Sequence, residues 1–427
     1  MAQTRPSQAR LAYLDTLRGF AMLGIMFINF PSINTVAGDE AIAYSFVNSQ
    51  ADKVVAFLSM NLFNGKVYPI FAFLFGIGLF IFISNIKKSG INSGVYLVRR
   101  LFFLIVFGLL HACFVWWGDI LMVYGILGFV ALPFLNKPRW FLISALLGLL
   151  FFIPSFFIAY SSLQLQGVIP TFLIWDTGYQ HLNGLDYLTS VYGSGTFAEI
   201  SVQRIRDYIY VFTPFLYEKI YLKDIFSFGV YYCQILGMFF LGYFTAMHGL
   251  HKKIDLFQEK IKGYGLVFLS SAFLILASIF YFDSRVLSSA GILINTFIAL
   301  FYICLLTLCG YRLRYMQLMF APIGRMSFTA YLSHTLFFSS VLYGYGLGLY
   351  GSVGPAVLLP VSVVFYFLML LFSYYWLKNF KFGPAEWVWK SLTYWKIQPM
   401  ALKEMDPSAV YARKPKVEKI IKARHKF

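Results

Sequence analysis

Ten runs of about twenty apolar residues, each closed by charges, Gly or Pro, constrain this chain more than any other feature. They lie near 17–33, 67–85, 101–118, 119–135, 140–160, 226–247, 264–282, 288–309, 326–348 and 355–377. A helix rises about 1.5 Å per residue, so about 20 apolar residues cross the hydrocarbon core of a bilayer. No Asp or Glu falls in the interior of any of the ten, Asp119 standing at the edge of one. Inside lipid each segment must satisfy its own backbone, which leaves helices as the economical solution. The expected fold class is therefore an all-α polytopic membrane protein with about ten transmembrane helices. Only 12% of the 427 residues are charged and 59% are hydrophobic, whereas a soluble domain carries about 25% charged residues. A water-soluble enzyme is excluded. The apolar stretch 54–63 is too short to cross and stops at Asn64-Gly65-Lys66, so it is expected to be interfacial or re-entrant.

Orientation follows from where Lys and Arg fall between the runs. With the N-terminus inside, 28 of the 35 basic residues lie on the cytoplasmic side, and every short connection obeys the positive-inside rule. This predicts both termini in the cytoplasm. The chain then divides into a membrane half (1–160) with five spans, an extracytoplasmic loop region (161–224), a second half (225–377) with five spans, and a basic tail (378–427). The loop is rich in Tyr, Gly, Asp and Gln and too long for a passive turn. The tail begins amphipathic (KFGPAEWVWKSLTYW) and ends RKPKVEKIIKARHK. That run reads as an anchor for anionic lipid; nothing else supports nucleic-acid binding, despite a net charge of +17. The oligomeric state is not written in the sequence, and a homo-oligomer is compatible with it. Arg5 and Arg10 precede an apolar run without a small-residue cleavage site, so the first run reads as a retained span.

Ionisable groups at membrane depth are costly and point to function. Asp15 and Arg18, three residues apart, share a helix face and can pair. They suit either a self-neutralising pair at the boundary or an arginine held for an anionic ligand. Arg99 and Arg100 open the third span on the same side, as anchors or, with Arg18, as a basic mouth for an anionic cofactor. His111 lies eight residues before Asp119, about 12 Å along a straight helix and too far for contact. Gly118 interrupts the segment beside Trp116-Trp117, and a turn there can bring Asp119 back to His111. A histidine oriented by a carboxylate is a general base; a hydrogen-bonded core histidine is the plain alternative. His334 has Tyr331, Ser333 and Thr335 as ordinary partners. His181 and Asp186 show an HxxxxD spacing, but in the outer loop, and are set aside. No GxSxG, Walker, GxGxxG or HExxH pattern occurs. Cys113, Cys233, Cys304 and Cys309 sit in apolar runs without a CxxC pair, so no metal site is expected.

LDTLRGFAMLGIMFIN (14–29), NGKVYPIFAFLFGIGLF (64–80), FGLLHACFVWWGDILMVYGILG (107–128) and YGSGTFAEISVQRIRDY (192–208) form an ordered series. It continues with GRMSFTAYLSHT (324–335), YGYGLGLYG (343–351) and FGPAEWVWKSLTYW (382–395). In this order they resemble the YeiB family, bacterial inner-membrane proteins defined by the domain of unknown function numbered 418. The resemblance extends to integral-membrane acyltransferases, which have an LDxxRG-type start and an intramembrane His. It implies transfer of an acyl group from cytoplasmic acyl-CoA to an extracytoplasmic acceptor such as a glycan or amino sugar. His111 would be the catalytic base, Asp119 its orienter, and Arg18 would sit at the donor end. In the YLSHT segment this chain has a His where the family varies, so the resemblance gives His334 no role. Such chemistry needs a base, a cationic donor mouth and donors for the thioester oxyanion; His111, the Arg18/Arg99/Arg100 group and Asn29 are the candidates. A small-molecule transporter or exporter is the alternative, although coupled carriers usually hold carboxylates at mid-membrane. A structural or signalling protein would leave His111 unexplained.

Overall fold

Apolar length sets the architecture. A computed structural model of the chain describes residues 6–35, 49–88, 93–135, 185–212, 222–280 and 286–402, with a few isolated positions besides. Among these the named elements are all helical: α1 (Pro6–Ile33), α2 (Gln50–Leu62), α3 (Val67–Lys88), α4 (Ser93–Phe114), α5 (Leu121–Ala131), α6 (Leu185–Ser194), α7 (Phe197–Phe212), α8 (Leu222–Met247), α9 (Ile254–Phe280), α10 (Val286–Arg312), α11 (Arg314–Arg325), α12 (Ser327–Leu342), α13 (Pro355–Asn379) and α14 (Pro384–Tyr394). Seven stretches are long and apolar enough to cross a bilayer: Ala12–Ile33, Gln50–Lys88, Ser93–Phe114, Gly229–Met247, Leu256–Ala277, Gly291–Arg312 and Pro355–Asn379. This is a multi-pass membrane protein.

Three of the ten expected runs do not appear as long helices. The run 140–160 lies outside the described residues except for a few positions. The run 119–135 becomes a shorter apolar helix, Leu121–Phe134, because Gly118 and Asp119 are consumed by a turn. The run 326–348 is helical for 16 residues. It then breaks into turns in which Gly348 and Gly351 take left-handed backbone (φ 66° and 71°). The stretch 54–63 falls on the 13-residue α2 and its C-cap Phe63, and a Ser49–Asp52 capping box fixes the helix start. After it the chain turns at Gly65 (φ 74°), and the Lys66 ammonium donates to the carbonyls of Met60 and Asn64. Asp52 also accepts from the Ala356 N–H at 2.9 Å, tying α2 to the start of α13.

Lipid tails give apolar helices no reason to prefer one another, so association depends on close packing. Glycines supply it at two reciprocal contacts. A Cβ on Gly76 of α3 would stand 2.0 Å from the Phe239 carbonyl of α8, and one on Gly242 of α8 would stand 1.9 Å from the Phe73 carbonyl of α3. In the same way Gly19 of α1 faces the Phe320 carbonyl at 1.9 Å, and Gly324 of α11 faces the Asp15 carbonyl at 1.8 Å. The second contact explains the glycine of the LDTLRG segment. It brings α1 backbone-close to α11 with Asp15 and Arg18 alongside.

Candidate active site

α4 carries His111 at its buried end. Gly108, one turn earlier, leaves room that a Cβ would fill, within 2.5 Å of the Asp119 carboxylate. The Trp116 and Val115 amides close the helix onto the His111 carbonyl, and the Asp119 N–H turns back to the Trp117 carbonyl at 2.8 Å. That turn sets Asp119 Oδ2 3.0 Å from His111 Nδ1, both side chains enclosed. The carboxylate stands off the line of a straight N–H···O bond, so the contact is one of charge more than of direction. Asp119 also accepts the Met122 N–H at 2.9 Å and the Tyr331 hydroxyl at 3.4 Å. On the other side of the ring, His111 Nε2 lies 2.8 Å from Thr335 Oγ1.

The partners dictate the tautomer. A nitrogen beside a carboxylate keeps its proton, so in the neutral ring Nδ1–H faces Asp119 and Nε2 accepts from Thr335. The order hydroxyl, imidazole, carboxylate is the arrangement by which a hydroxyl is activated and an imidazolium stabilised. Burying these groups costs free energy unless they satisfy one another; here Nε2 and the Asp119 carboxylate have hydrogen-bond partners, and Nδ1 has the charge contact with Asp119. His334, also buried, is held apart from this chain: its Nε2 lies 3.0 Å from Asn29 Nδ2. The Ala330 carbonyl stands 3.3 Å from its Nδ1.

Beside this cluster lies a cavity of about 620 Å³. One face of α1 lines it from Asp15 and Arg18 to Met22 and Ile25, three turns deep. The polar end collects Arg18, Arg100, Arg325, Lys381 and Lys390 with Asp15 and Glu386; the inner end is Ile25, Leu104, Ile120, Leu121, Tyr124 and Tyr331. Tyr331 thus belongs to both places, a wall of the cavity and a donor to Asp119. Its ring centroid is 5.0 Å from that of His111. The two carboxylates are occupied. Asp15 pairs with Arg18 at 2.8 Å. Glu386 accepts from the Phe328 N–H (2.7 Å), the Thr329 N–H (3.2 Å) and the Thr329 hydroxyl (2.5 Å). Burial pushes the Glu386 carboxyl above its ordinary range, against the pull of these hydrogen bonds. Burial pushes the Lys390 ammonium down, and the neighbouring Arg100 and Lys381 add to it.

The structure therefore pairs His111 with Asp119 and puts Arg18 and Arg100 on the cavity wall, which neither His111 nor Asp119 lines. It does not put Arg99 or Asn29 on that wall. The Arg99 guanidinium lies over Trp395 at 5.5 Å, and Asn29 is engaged with His334. Sequence reasoning missed Tyr331 and Thr335 as partners of the His–Asp pair, and Arg325, Lys381 and Lys390 as cavity cations. The available signal was their place in the segments 324–335 and 382–395, with Lys381 one residue before the second.

A second buried cluster closes the opposite end of α12. Arg204 of α7, with 0% exposure, donates to the Phe114 carbonyl at 2.7 Å and to the Tyr345 hydroxyl at 2.8 Å. Asp207 accepts from Tyr192 and Gln203. These bonds dock α6 and α7 onto the end of α4 and the 343–351 turns.

Together these features define a helical integral-membrane protein with a cation-lined cavity that abuts a buried histidine–aspartate pair. Comparison with known proteins places it further. Residues 245–396 match the family model "Protein of unknown function (DUF418)". The chain is 33% identical over 421 residues to "Uncharacterized protein YxaH" of Bacillus subtilis (strain 168), covering 92% of this chain and 96% of that protein. It is 29% identical over 399 residues to "Uncharacterized 39.9 kDa protein in amylase 3'region" of Bacillus acidopullulyticus (92% and 97% covered). To "Uncharacterized protein YeiB" of Escherichia coli (strain K12) it is 25% identical over 418 residues (89% and 95%). The chain belongs to this family of YxaH- and YeiB-type proteins and carries its DUF418 domain.

Proposed function

We propose that the protein is a membrane-embedded acyltransferase, moving an acyl group from cytoplasmic acyl-CoA to an extracytoplasmic acceptor such as a glycan or amino sugar. One observation carries the reading: a cavity cationic at one end whose inner wall, Tyr331, touches the carboxylate of a buried His111–Asp119 pair. Acyl-CoA would place its anionic head among the cations and its thioester at the inner end. As the acceptor attacks the thioester carbonyl, its proton passes to the Thr335 hydroxyl, which hands its own proton to His111 Nε2. The thiolate then leaves and is protonated, so the bond lost (C–S) and the bond gained (C–O or C–N) balance. Asp119 stabilises the imidazolium that forms. Thr335 and Tyr331 hold the ring and carboxylate in register.

The same reading places the protein in the bacterial inner membrane with ten spans and both termini cytoplasmic, because 28 of 35 basic residues then lie inside. In a cysteine-free background, Ser194→Cys should react with an external impermeant thiol reagent and Lys396→Cys should not; the opposite pattern overturns the sidedness. The cationic cavity also suits a carrier of small anions, the second reading. Proteoliposomes separate the two. Acceptor-dependent release of CoA thiol, lost in Asp119→Asn, is the transferase result. Uptake of an anion without thiol release is the carrier result and overturns the first.

A further inference from the structure

The five cations at the cavity's polar end are not equivalent. Arg18 has Asp15; among the described residues no ion pair is made by Arg100, Arg325, Lys381 or Lys390. Arg100 is the most constrained of them. Its guanidinium lies over the Trp389 ring at 3.8 Å and near Phe82 at 4.9 Å, and its buried Nε has no partner. Trp389 is itself fixed, its indole N–H donating to the Arg100 carbonyl at 2.9 Å. The Lys390 ammonium lies 3.8 Å over Phe382. Glu386 makes no ion pair with these cations; its carboxylate accepts from the start of α12.

Unpaired cations gathered at one cavity repel one another, and the lowered proton affinity of Lys390 reports that strain together with burial. A guanidinium flattened on an indole keeps its donor edges for a planar or tetrahedral anion. Lys381 and Lys390 come from the amphipathic first half of the tail, which is folded against α4 and α12 as part of the cavity.

We propose that residues 381–394, with Arg100 and Arg325, form a phosphate-binding wall. Arg100, Lys381 and Lys390 grip the phosphates of an amphiphilic ligand whose apolar end lies towards Ile25 and Tyr331. The proposal rests on the acyltransferase reading only for the source of the phosphates, which there is the nucleotide part of the donor. A phospholipid head group offers the same chemistry.

The test uses the purified full-length protein and measures binding of CoA, dephospho-CoA, pantetheine and pyrophosphate, and of phosphatidylglycerol in nanodiscs. Loss of one charge-assisted contact weakens binding about tenfold or more. The Lys381→Ala/Lys390→Ala double variant should lose at least that for CoA, with pantetheine binding weakly to both proteins. Lys390→Arg should retain binding, and Arg312→Ala, a charge removed away from the cavity, should leave it unchanged. CoA binding that survives the double variant overturns the wall and leaves the donor reading standing. No CoA binding, with phosphatidylglycerol binding lost in the double variant, supports the wall and overturns the donor reading. Binding of none of the phosphate probes overturns the wall.

Discussion

Gly324→Ala is the sharpest test of the bundle that positions the cavity. A Cβ at 324 would lie 1.8 Å from the Asp15 carbonyl oxygen and 2.9 Å from the Gly19 nitrogen. Ordinary contact begins near 3.4 Å, so α1 and α11 must part by about 1.6 Å, and the obstacle is backbone that no rotamer change can move. Overpacking costs about 1–3 kcal/mol where side chains can yield; against backbone we expect about 3 kcal/mol or more. The displacement also shifts Asp15 and Arg18 relative to Arg325, so ligand binding should weaken with stability. The controls are Gly263→Ala and Gly291→Ala, helical glycines with nothing within 4 Å of a new Cβ. They should gain about 0.5–1 kcal/mol from helix propensity and reduced unfolded-state freedom. Thermal unfolding of detergent-purified protein, read by size-exclusion chromatography, compares all three. If Gly324→Ala melts with the controls, the close α1–α11 approach is wrong, and so is the placement of Arg18.

Replacing His111 with Ala strands the Asp119 carboxylate in the interior. Losing one member of a buried pair typically costs about 3–5 kcal/mol, so the cleaner probe is Asp119→Asn, which should keep the fold and lower transfer sharply in a thiol-release assay. Arg204→Met should loosen α7 from α4 by removing donors to Phe114 and Tyr345; limited proteolysis between 185 and 212 should speed up, and unchanged cleavage would refute the docking role. Lys390 has a folded pKa below its unfolded one, so its contribution to stability is present above the ordinary lysine pKa and is lost as pH falls through the lowered value. Near pH 7 the charged lysine is therefore a cost, and Lys390→Met should raise the unfolding midpoint there, with the gain shrinking as pH rises through the lowered value and gone above about pH 10.4; a lower midpoint at pH 7 would count against a strained cation.

What the sequence disclosed follows contact range. The Asp15–Arg18 pair is three residues long and the return of Asp119 to His111 needs one turn at Gly118, so both were legible. Thr335 and Tyr331 reach the same histidine and aspartate from more than 200 residues away, and no local pattern announces such a meeting. Gly19 was visible but its reason was not, since the carbonyl it accommodates belongs to Phe320. The seven long helices were legible from apolar length, whereas α12 read as a full span because its glycine-rich end is as apolar as a helix. The segment 381–394 gave no sign of the cavity for a physical reason: Lys and Trp on an amphipathic helix suit a lipid surface and a cavity wall equally, and only tertiary packing distinguishes them.

That packing makes α12 the element that joins the polar end of the cavity to the Arg204 cluster. Its first turn is held by Glu386 from α14, its second presents Tyr331 to the cavity and to Asp119, and its third places Thr335 on His111. Beyond Leu342 it runs into Tyr343, 4.8 Å beneath the Arg204 guanidinium that also grips the end of α4. A shift of α12 at the cavity therefore cannot stay local. It moves the hydroxyl that sets the histidine, while α4, which carries that histidine, is pinned at its far end. An anion drawing Lys390 and Arg100 together would act on α14, and through Glu386 on α12. α12 thus touches the polar end through Glu386 and the His111–Asp119 pair through Tyr331 and Thr335.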